Sequence, residues 1–276
     1  MNSVNQEIKY QKLIQYLKKF KKAVVAFSGG VDSTFLLAAA KEALGDQVTA
    51  VTIQSPYIPD WEVEEAKECT KYLGVHHQII PAEILEEIRY NPEDRCYLCK
   101  RAVFQKIIDY GKEQGINYVF DGTNTDDLSD YRPGLKALKE LKVVSPLKEC
   151  GFNKADIRSH SKRLALETWK KPAYACLLTR IPYGTELDEE ELKRIEKAEL
   201  FLMEKGFRSV RVRSHGELAR IELPKNERES FTKEAIMDET VKTFKELGYR
   251  FVTLDLEGYK MGSFNQDLGD KEASNE

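Results

Sequence analysis

Residues 23–33 read Ala23-Val24-Val25-Ala26-Phe27-Ser28-Gly29-Gly30-Val31-Asp32-Ser33. A short apolar run such as Ala23 to Phe27 suits a strand buried on both faces of a parallel sheet. Two glycines then give a tight turn, and Thr34 to Leu44 carries a helical pattern. Strand, glycine turn and helix in that order predict an α/β fold. The alternation continues in both directions. Val48 to Ile53 reads as a second buried strand, Asp60 to Leu73 as a helix and His77 to Ile80 as a third strand. Residues 96–114 read as a helix, and Tyr118-Val119-Phe120 as a strand ending in Asp121-Gly122. Upstream, Ile8, Leu13, Ile14, Leu17 and Phe20 give residues 5–20 a helical period. The expected fold is a parallel twisted sheet with helices on both faces. Ligands in such sheets bind beyond the carboxyl ends of the strands, where Ser28 and Asp121 both fall.

The pattern changes after Gly184. Residues 188–205 read as a charged amphipathic helix. Arg208 to Ser214 and Leu218 to Leu223 alternate polar and apolar residues around His215-Gly216-Glu217, which predicts an antiparallel hairpin with one wet face. A helix over 226–247 and a strand over Phe251 to Leu256 complete a small α+β domain. The expected division is 1–184, 185–262 and a disordered tail, 263–276.

Composition narrows the function. Lys plus Arg is 43 and Asp plus Glu is 46, so the net charge is −3, and nothing global favours a nucleic-acid partner. No apolar run approaches the ~20 residues needed to span a bilayer. The charged start, MNSVNQEIKYQKLIQYLKKFKK, lacks the apolar core of a signal peptide. A cytoplasmic protein is expected. Its five cysteines are then buried hydrophobes or chemically employed, rather than a disulfide framework.

The loop Ser28-Gly29-Gly30-Val31-Asp32-Ser33 is suited to phosphate. The glycines let backbone approach an anion, and a helix N-terminus adds N–H groups and positive dipole. Ser28, Ser33 and Thr34 add hydroxyls. Asp32 would repel phosphate unless Mg2+ bridged the two. There is no Walker A lysine, so a triphosphate must be held differently. The plainer alternative is a serine-capped turn.

This hexad resembles the SGGxDS loop of the N-type ATP pyrophosphatases, or PP-loop enzymes, whose fold is adenine nucleotide alpha hydrolase-like. Three further stretches resemble the LarE sulfur transferases in order. The first is Asp121-Gly122-Thr123-Asn124 with Asp126-Asp127 and Asp130-Tyr131-Arg132-Pro133-Gly134. The second runs from Lys171-Pro172 through Cys176 to Arg180-Ile181-Pro182-Tyr183-Gly184. The third is Val210-Arg211-Val212-Arg213 with Ala219-Arg220-Ile221-Glu222-Leu223. The resemblance implies adenylation of a carboxylate of pyridinium-3,5-biscarboxylic acid mononucleotide, with release of pyrophosphate. A protein-held sulfur then displaces AMP to give a thiocarboxylate, in assembly of the nickel-pincer nucleotide. It further implies ATP and pyrophosphate binding by Ser28 to Thr34, Asp121 and Gly122, with Mg2+ on Asp32 and Asp126. A homo-oligomer, trimer or hexamer, is also implied.

Cys96-Tyr97-Leu98-Cys99 sets two thiols one turn apart at a helix start. Alone, that spacing fits a redox pair, half a zinc site or accident. There is no second CxxC, and the four histidines show no ligand spacing. Within the resemblance, Cys176 matches the sulfur-bearing position to within a residue, and the set Cys96, Cys99, Cys176 matches the three-cysteine type. That type implies a 4Fe–4S cluster with one iron open to exogenous sulfide. A sacrificial Cys176 and a zinc site are the alternatives. Cys69 and Cys150 receive no role.

Arg211, Arg213, Arg220 and Glu222 alternate with apolar residues, so they share one hairpin face. They read as a solvated face or as forks for the substrate's 5′-phosphate. Asp126, Asp127 and Asp130 read as solvated caps or Mg2+ ligands. Arg180 could stabilise a thiolate or an adenylate, or pair with one of those acids. Rival functions are a tRNA thiolase of the same superfamily, an amidating synthetase using ammonia, and a non-enzymatic carrier of a cluster or nucleotide.

Overall fold

The computed structural model describes residues 3–128, 134–172 and 174–259. Asp130 to Pro133 and the expected tail lie outside the described residues. The chain divides into two compact units, Met1–Glu87 with Asp94–Tyr174, and Ile88–Glu93 with Ala175–Glu276.

The first unit contains α1 (Ser3–Leu17), β1 (Ala23–Ala26), α2 (Val31–Leu44), β2 (Val48–Gln54), α3 (Asp60–Leu73), β3 (His76–Pro81), α4 (Arg95–Glu113), β4 (Val119–Phe120), α5 (Gly134–Glu140), α6 (Pro146–Glu149) and α7 (Lys154–Arg163). Its four strands form one parallel sheet in the order β3-β2-β1-β4. Strand periodicity sends alternate side chains to opposite faces. Ala23, Val25 and Ala50 join the core that holds Leu13, Leu17, Phe35 and Phe152. Val24, Val51 and Ile53 join the opposite core with Phe104, Ile107 and Val119. The expected α/β sheet, covered on both faces, is the one observed. The chain runs outward from β1 to β3 and returns beside β1 as β4. The strand order therefore reverses between β1 and β4, which opens a crevice at their carboxyl ends.

The second unit contains α8 (Glu189–Glu204), β5 (Arg211–His215), β6 (Leu218–Glu222), α9 (Arg228–Phe231), α10 (Glu234–Glu246) and β7 (Phe251–Leu254). β5 and β6 are the expected antiparallel hairpin, and β7 joins β6 in parallel. The single helix expected over 226–247 is two helices. Lys233 is extended (φ −64°, ψ 128°), and the break lets Phe231 and Phe244 enter one core. Residues 88–93 belong here because Asn91 ties them in. Its side-chain amide donates to the carbonyls of Ile181 (2.8 Å), Pro182 (3.1 Å) and Leu178 (3.3 Å). The change of sequence pattern at Gly184 thus falls inside this second unit.

The expectation of one wet hairpin face is overturned. Arg211, Arg213 and Glu222 are all buried. A 3-10 turn, Leu177–Arg180, covers them, since Arg213 donates through Nη1 to the Thr179 carbonyl. Their charges are matched inside the unit, so the alternation of polar and apolar residues did not mark a solvent face.

Candidate active site

The loop that follows β1 is built around the start of α2. That helix begins at Val31, earlier than the apolar pattern suggested, so Asp32, Ser33 and Thr34 all lie in its first turn. Gly30 is the N-cap and makes no side-chain cap hydrogen bond. The first-turn N–H groups therefore point to the loop's mouth, where an anion is favoured. Gly29 has φ +69°, and a Cβ there would meet Ala66 of α3 at 3.3 Å. Only glycine fits that position without strain. The Ser28 and Ser33 hydroxyl oxygens are 3.1 Å apart, and the Gly30 N–H donates to Ser28 Oγ (3.4 Å).

The second wall comes from the loop after β4. A Cβ on Gly122 would lie 3.1 Å from the Ser33 amide nitrogen, so backbone meets backbone there. Asp121 holds this loop in shape. Its carboxylate accepts from the Thr123 N–H (3.1 Å) and from the Thr123 and Ser145 hydroxyls. Asp127 is buried and accepts from the Asn124 N–H (3.0 Å). Asp126 accepts from the Lys154 N–H (2.9 Å), at the start of α7. Both acids thus serve as loop and helix caps here. Asp130 lies outside the described residues.

A third wall was not anticipated from the sequence. One face of α3 presents Glu65, Ala66 and Cys69 to the loop. Ala66 packs on Gly29, and the Cys69 thiol lies 3.8 Å from Thr34 Oγ1. Burial pushes the Cys69 thiol up despite the Thr34 contact and the Lys171 charge. Lys171 reaches the same place from beyond α7. Its ammonium donates to the Gly29 carbonyl (3.1 Å) and to Glu65 (2.6 Å). The sequence signalled it only indirectly, through the missing Walker lysine and the place of Lys171 in the Lys171–Gly184 stretch.

Cys96 lies in the first turn of α4 and Cys99 one turn on. Cys96 is exposed. Cys99 is half-buried, with Tyr57 Oη 3.3 Å from its sulfur. Burial pushes the Cys99 thiol up; the Tyr57 contact opposes this, and the Cys96 charge adds to it. Two thiols one turn apart fit two ligand positions of a metal cluster. Among the described residues, no group of three or more His, Cys, Asp or Glu is gathered to hold a metal ion.

Cys176 belongs to the second unit, is half-buried and precedes the turn Leu177–Arg180. Its carbonyl accepts from the Thr179 N–H (3.1 Å), the Thr179 hydroxyl (3.0 Å) and Arg180 Nη1 (3.2 Å). Arg180 also binds the Ala175 carbonyl (2.8 Å). Arg180 is buried, and its guanidinium forks onto Glu199 of α8, Nε to Oε1 at 2.8 Å and Nη2 to Oε2 at 2.9 Å. Glu199 is thus a bidentate carboxylate partner of Arg180 within the second unit. Arg213 forks onto Glu222 at 2.9 and 2.8 Å. Arg220 is half-buried between Glu222 (3.3 Å) and Asp255 (3.5 Å). Burial, and then the nearby Arg180 charge, pull the Arg211 pKa down. The arginine cluster thereby braces the turn that carries Cys176.

Comparison with known proteins bears on both units. Residues 22–93 match the family described as queuosine biosynthesis protein QueC. The chain is 38% identical to the pyridinium-3,5-bisthiocarboxylic acid mononucleotide synthase of Lactiplantibacillus plantarum, over 93% of each chain. It is 41% identical to an uncharacterized protein of Synechocystis, over 95% of this chain and 98% of that one. An uncharacterized protein of Methanocaldococcus jannaschii is 33% identical, over 88% of this chain and 92% of its own. Identity of 38% over more than nine-tenths of both chains spans the two units, and the chain belongs to the LarE family of PP-loop, ATP-dependent sulfur transferases.

Proposed function

We propose that this chain makes a thiocarboxylate from pyridinium-3,5-biscarboxylic acid mononucleotide, at the expense of ATP. A carboxylate is a poor acyl donor because its leaving group would be oxide. Attack of its oxygen on the α-phosphorus of ATP expels pyrophosphate and makes AMP the leaving group. A sulfur nucleophile then attacks the acyl carbon, and AMP departs. The observation that carries this reading is the seat formed by the Ser28–Thr34 loop and Gly122. It offers first-turn N–H groups, hydroxyls and close backbone approach to a leaving pyrophosphate. We assign Mg2+ to Asp32, in the first turn of α2, together with Asp126.

Cys96, Cys99 and Cys176 are assigned as ligands of a 4Fe–4S cluster. When bound, such a cluster supplies an iron site open to exogenous sulfide. Support comes from the thiol pair on α4 and from the resemblance to the three-cysteine type within the family. Arg211, Arg213 and Arg220 are assigned to the substrate's phosphate. Support comes from the hairpin register, which sets Arg213 opposite Arg220 and Arg211 opposite Glu222 on one face. No helix among the described residues is long and apolar enough to cross a membrane. We assign the enzyme to the cytoplasm, as a homo-oligomer, trimer or hexamer.

The test is product analysis after anaerobic incubation with ATP, Mg2+, the dicarboxylate nucleotide and sulfide. The expected result is AMP and pyrophosphate in equal amounts, with one oxygen of the nucleotide replaced by sulfur. Pyrophosphate released with ammonia and an amide product would make it an amidating synthetase. Tight tRNA binding that weakens steeply with salt would favour a tRNA thiolase.

A further inference from the structure

The loop that seats the pyrophosphate contains no cation of its own. Residues 28–34 supply hydroxyls, backbone N–H groups and the carboxylate of Asp32. A helix N-terminus contributes about half an elementary charge, well short of what a triphosphate carries. Bound Mg2+ would offset part of that charge, and a side-chain cation beside the loop offsets more.

Lys171 is built into that loop. Its ammonium bonds the carbonyl of Gly29, the residue whose left-handed backbone shapes the turn. From the same peptide unit, the Gly30 N–H reaches Ser28 Oγ. The lysine is held at both ends. Its own N–H donates to the Thr168 carbonyl (2.9 Å), and its carbonyl accepts from Arg158 Nη2 of α7 (2.8 Å). Glu65 fixes the ammonium from α3, one residue before the Ala66 that packs on Gly29. The side chain is mostly buried (22% exposed), whereas Glu65 is 42% exposed. An ammonium has three protons to donate. Gly29 and Glu65 take two of them, which leaves one for a ligand oxygen.

We propose that Lys171 is the phosphate-binding cation of this site, contacting the β- and γ-phosphoryl oxygens of ATP and, after cleavage, the pyrophosphate. The inference rests on the ATP reading above and names a residue that reading did not use. The chemistry is that of a Walker lysine, a point charge on a flexible stem. Here it enters from outside the loop and is aimed by a glutamate. The simpler role, a salt bridge that staples α3 to the segment after α7, would be indifferent to which nucleotide is bound.

Equilibrium binding of ATP, AMP and inorganic pyrophosphate, each with Mg2+, separates the two roles. Wild type is compared with Lys171→Met and Lys171→Arg. The expected result is a loss of roughly tenfold or more in ATP and pyrophosphate affinity for Lys171→Met, the scale of one charge-assisted hydrogen bond. AMP affinity stays within about twofold, and Lys171→Arg recovers part of the ATP affinity. Unchanged ATP affinity in Lys171→Met overturns the proposal, as does an equal loss of ATP and AMP. Should Lys171→Met fail to fold, Lys171→Gln keeps a donor for Gly29 and serves the same comparison. A wild type that binds neither ATP nor pyrophosphate would instead remove the ATP reading itself.

Discussion

Gly122 stands so close to the first turn of α2 that a Cβ there would lie 3.1 Å from the Ser33 amide nitrogen. The loops after β1 and β4 are thus in backbone contact at the sheet's switch point. Gly122→Ala must push them apart by a few tenths of an ångström. Overpacking of this kind costs about 1–3 kcal/mol. ATP affinity is expected to fall several-fold, because the shift turns the first-turn N–H groups away from the phosphate. Thermal unfolding and ATP titration of the variant check both effects. Wild-type affinity in a destabilised variant would remove the β4 loop from the nucleotide seat.

Arg180 and Glu199 make a second prediction, in the other unit. Each is buried, and each is the other's bidentate partner. Arg180→Ala leaves a buried carboxylate without its cation and is expected to cost about 3–5 kcal/mol. It also frees the Ala175 and Cys176 carbonyls, so the turn that carries Cys176 loses its brace. Arg180→Met with Glu199→Met removes both charges and should recover much of the stability. It should not recover sulfur transfer if the brace matters. Urea unfolding and turnover on the same three proteins measure the two separately.

The sheet was legible because β1, β2 and β4 are short, largely apolar runs alternating with helical patterns. Ser28 to Ser33 was legible because its residue types state their chemistry in order. The hairpin face was misread. Alternation of arginines with valines is the same string whether the polar side meets water or a buried glutamate, and Glu199 lies far away in sequence on a helix that read as charged. Lys171 escaped for a related reason. A lysine's role depends on which carbonyl its long stem reaches, and the Gly29 carbonyl is 142 positions away in the chain. The break at Lys233 is a packing decision between Phe231 and Phe244, which no local preference announces.

Stability should fall in two steps on acidification. His77 of β3 lies between Thr52 Oγ1 (2.8 Å) and Thr70 Oγ1 (3.0 Å). The Thr52 hydroxyl donates to the Phe27 carbonyl (2.7 Å), so it accepts from His77 Nε2–H. Burial, and then the charges of His76 and Lys67, pull the His77 pKa below its ordinary 6.5. Burial does the same to His160. The unfolded chain thus binds protons more readily, and the stability from the neutral rings is lost as pH falls below about 6.5. Glu199 gives the lower step. Burial pushes its carboxyl up, but the Arg180 charge and hydrogen bonds, with Arg211 and the Val212 N–H, bring it below its ordinary 4.5. That contribution is present above 4.5 and disappears as pH falls through the depressed value. Chemical denaturation at stepped pH should show both. His77→Gln should shrink the first, leaving the share of His160, and should not change the second.

The two α4 thiols differ in a way that tests their joint assignment. Cys96 is exposed, while Cys99 is shielded, bonded to Tyr57 and raised in pKa. Without metal, alkylation at mildly alkaline pH should label Cys96 well before Cys99, because the thiolate is the reactive form. Buried Cys150 should react last. Anaerobic reconstitution should then protect Cys96, Cys99 and Cys176 together and leave the pattern at Cys69 and Cys150 unchanged. Iron and acid-labile sulfide should approach four each per chain, the stoichiometry of a 4Fe–4S cluster, and should be lost in Cys96→Ala. Protection of Cys96 and Cys99 alone, without sulfide, would indicate a mononuclear metal on the CxxC. If no iron binds and Cys176 loses the mass of hydrogen sulfide after one turnover, the sulfur comes from that side chain. The enzyme would then be consumed by its own reaction, since elimination breaks the Cβ–Sγ bond and leaves dehydroalanine.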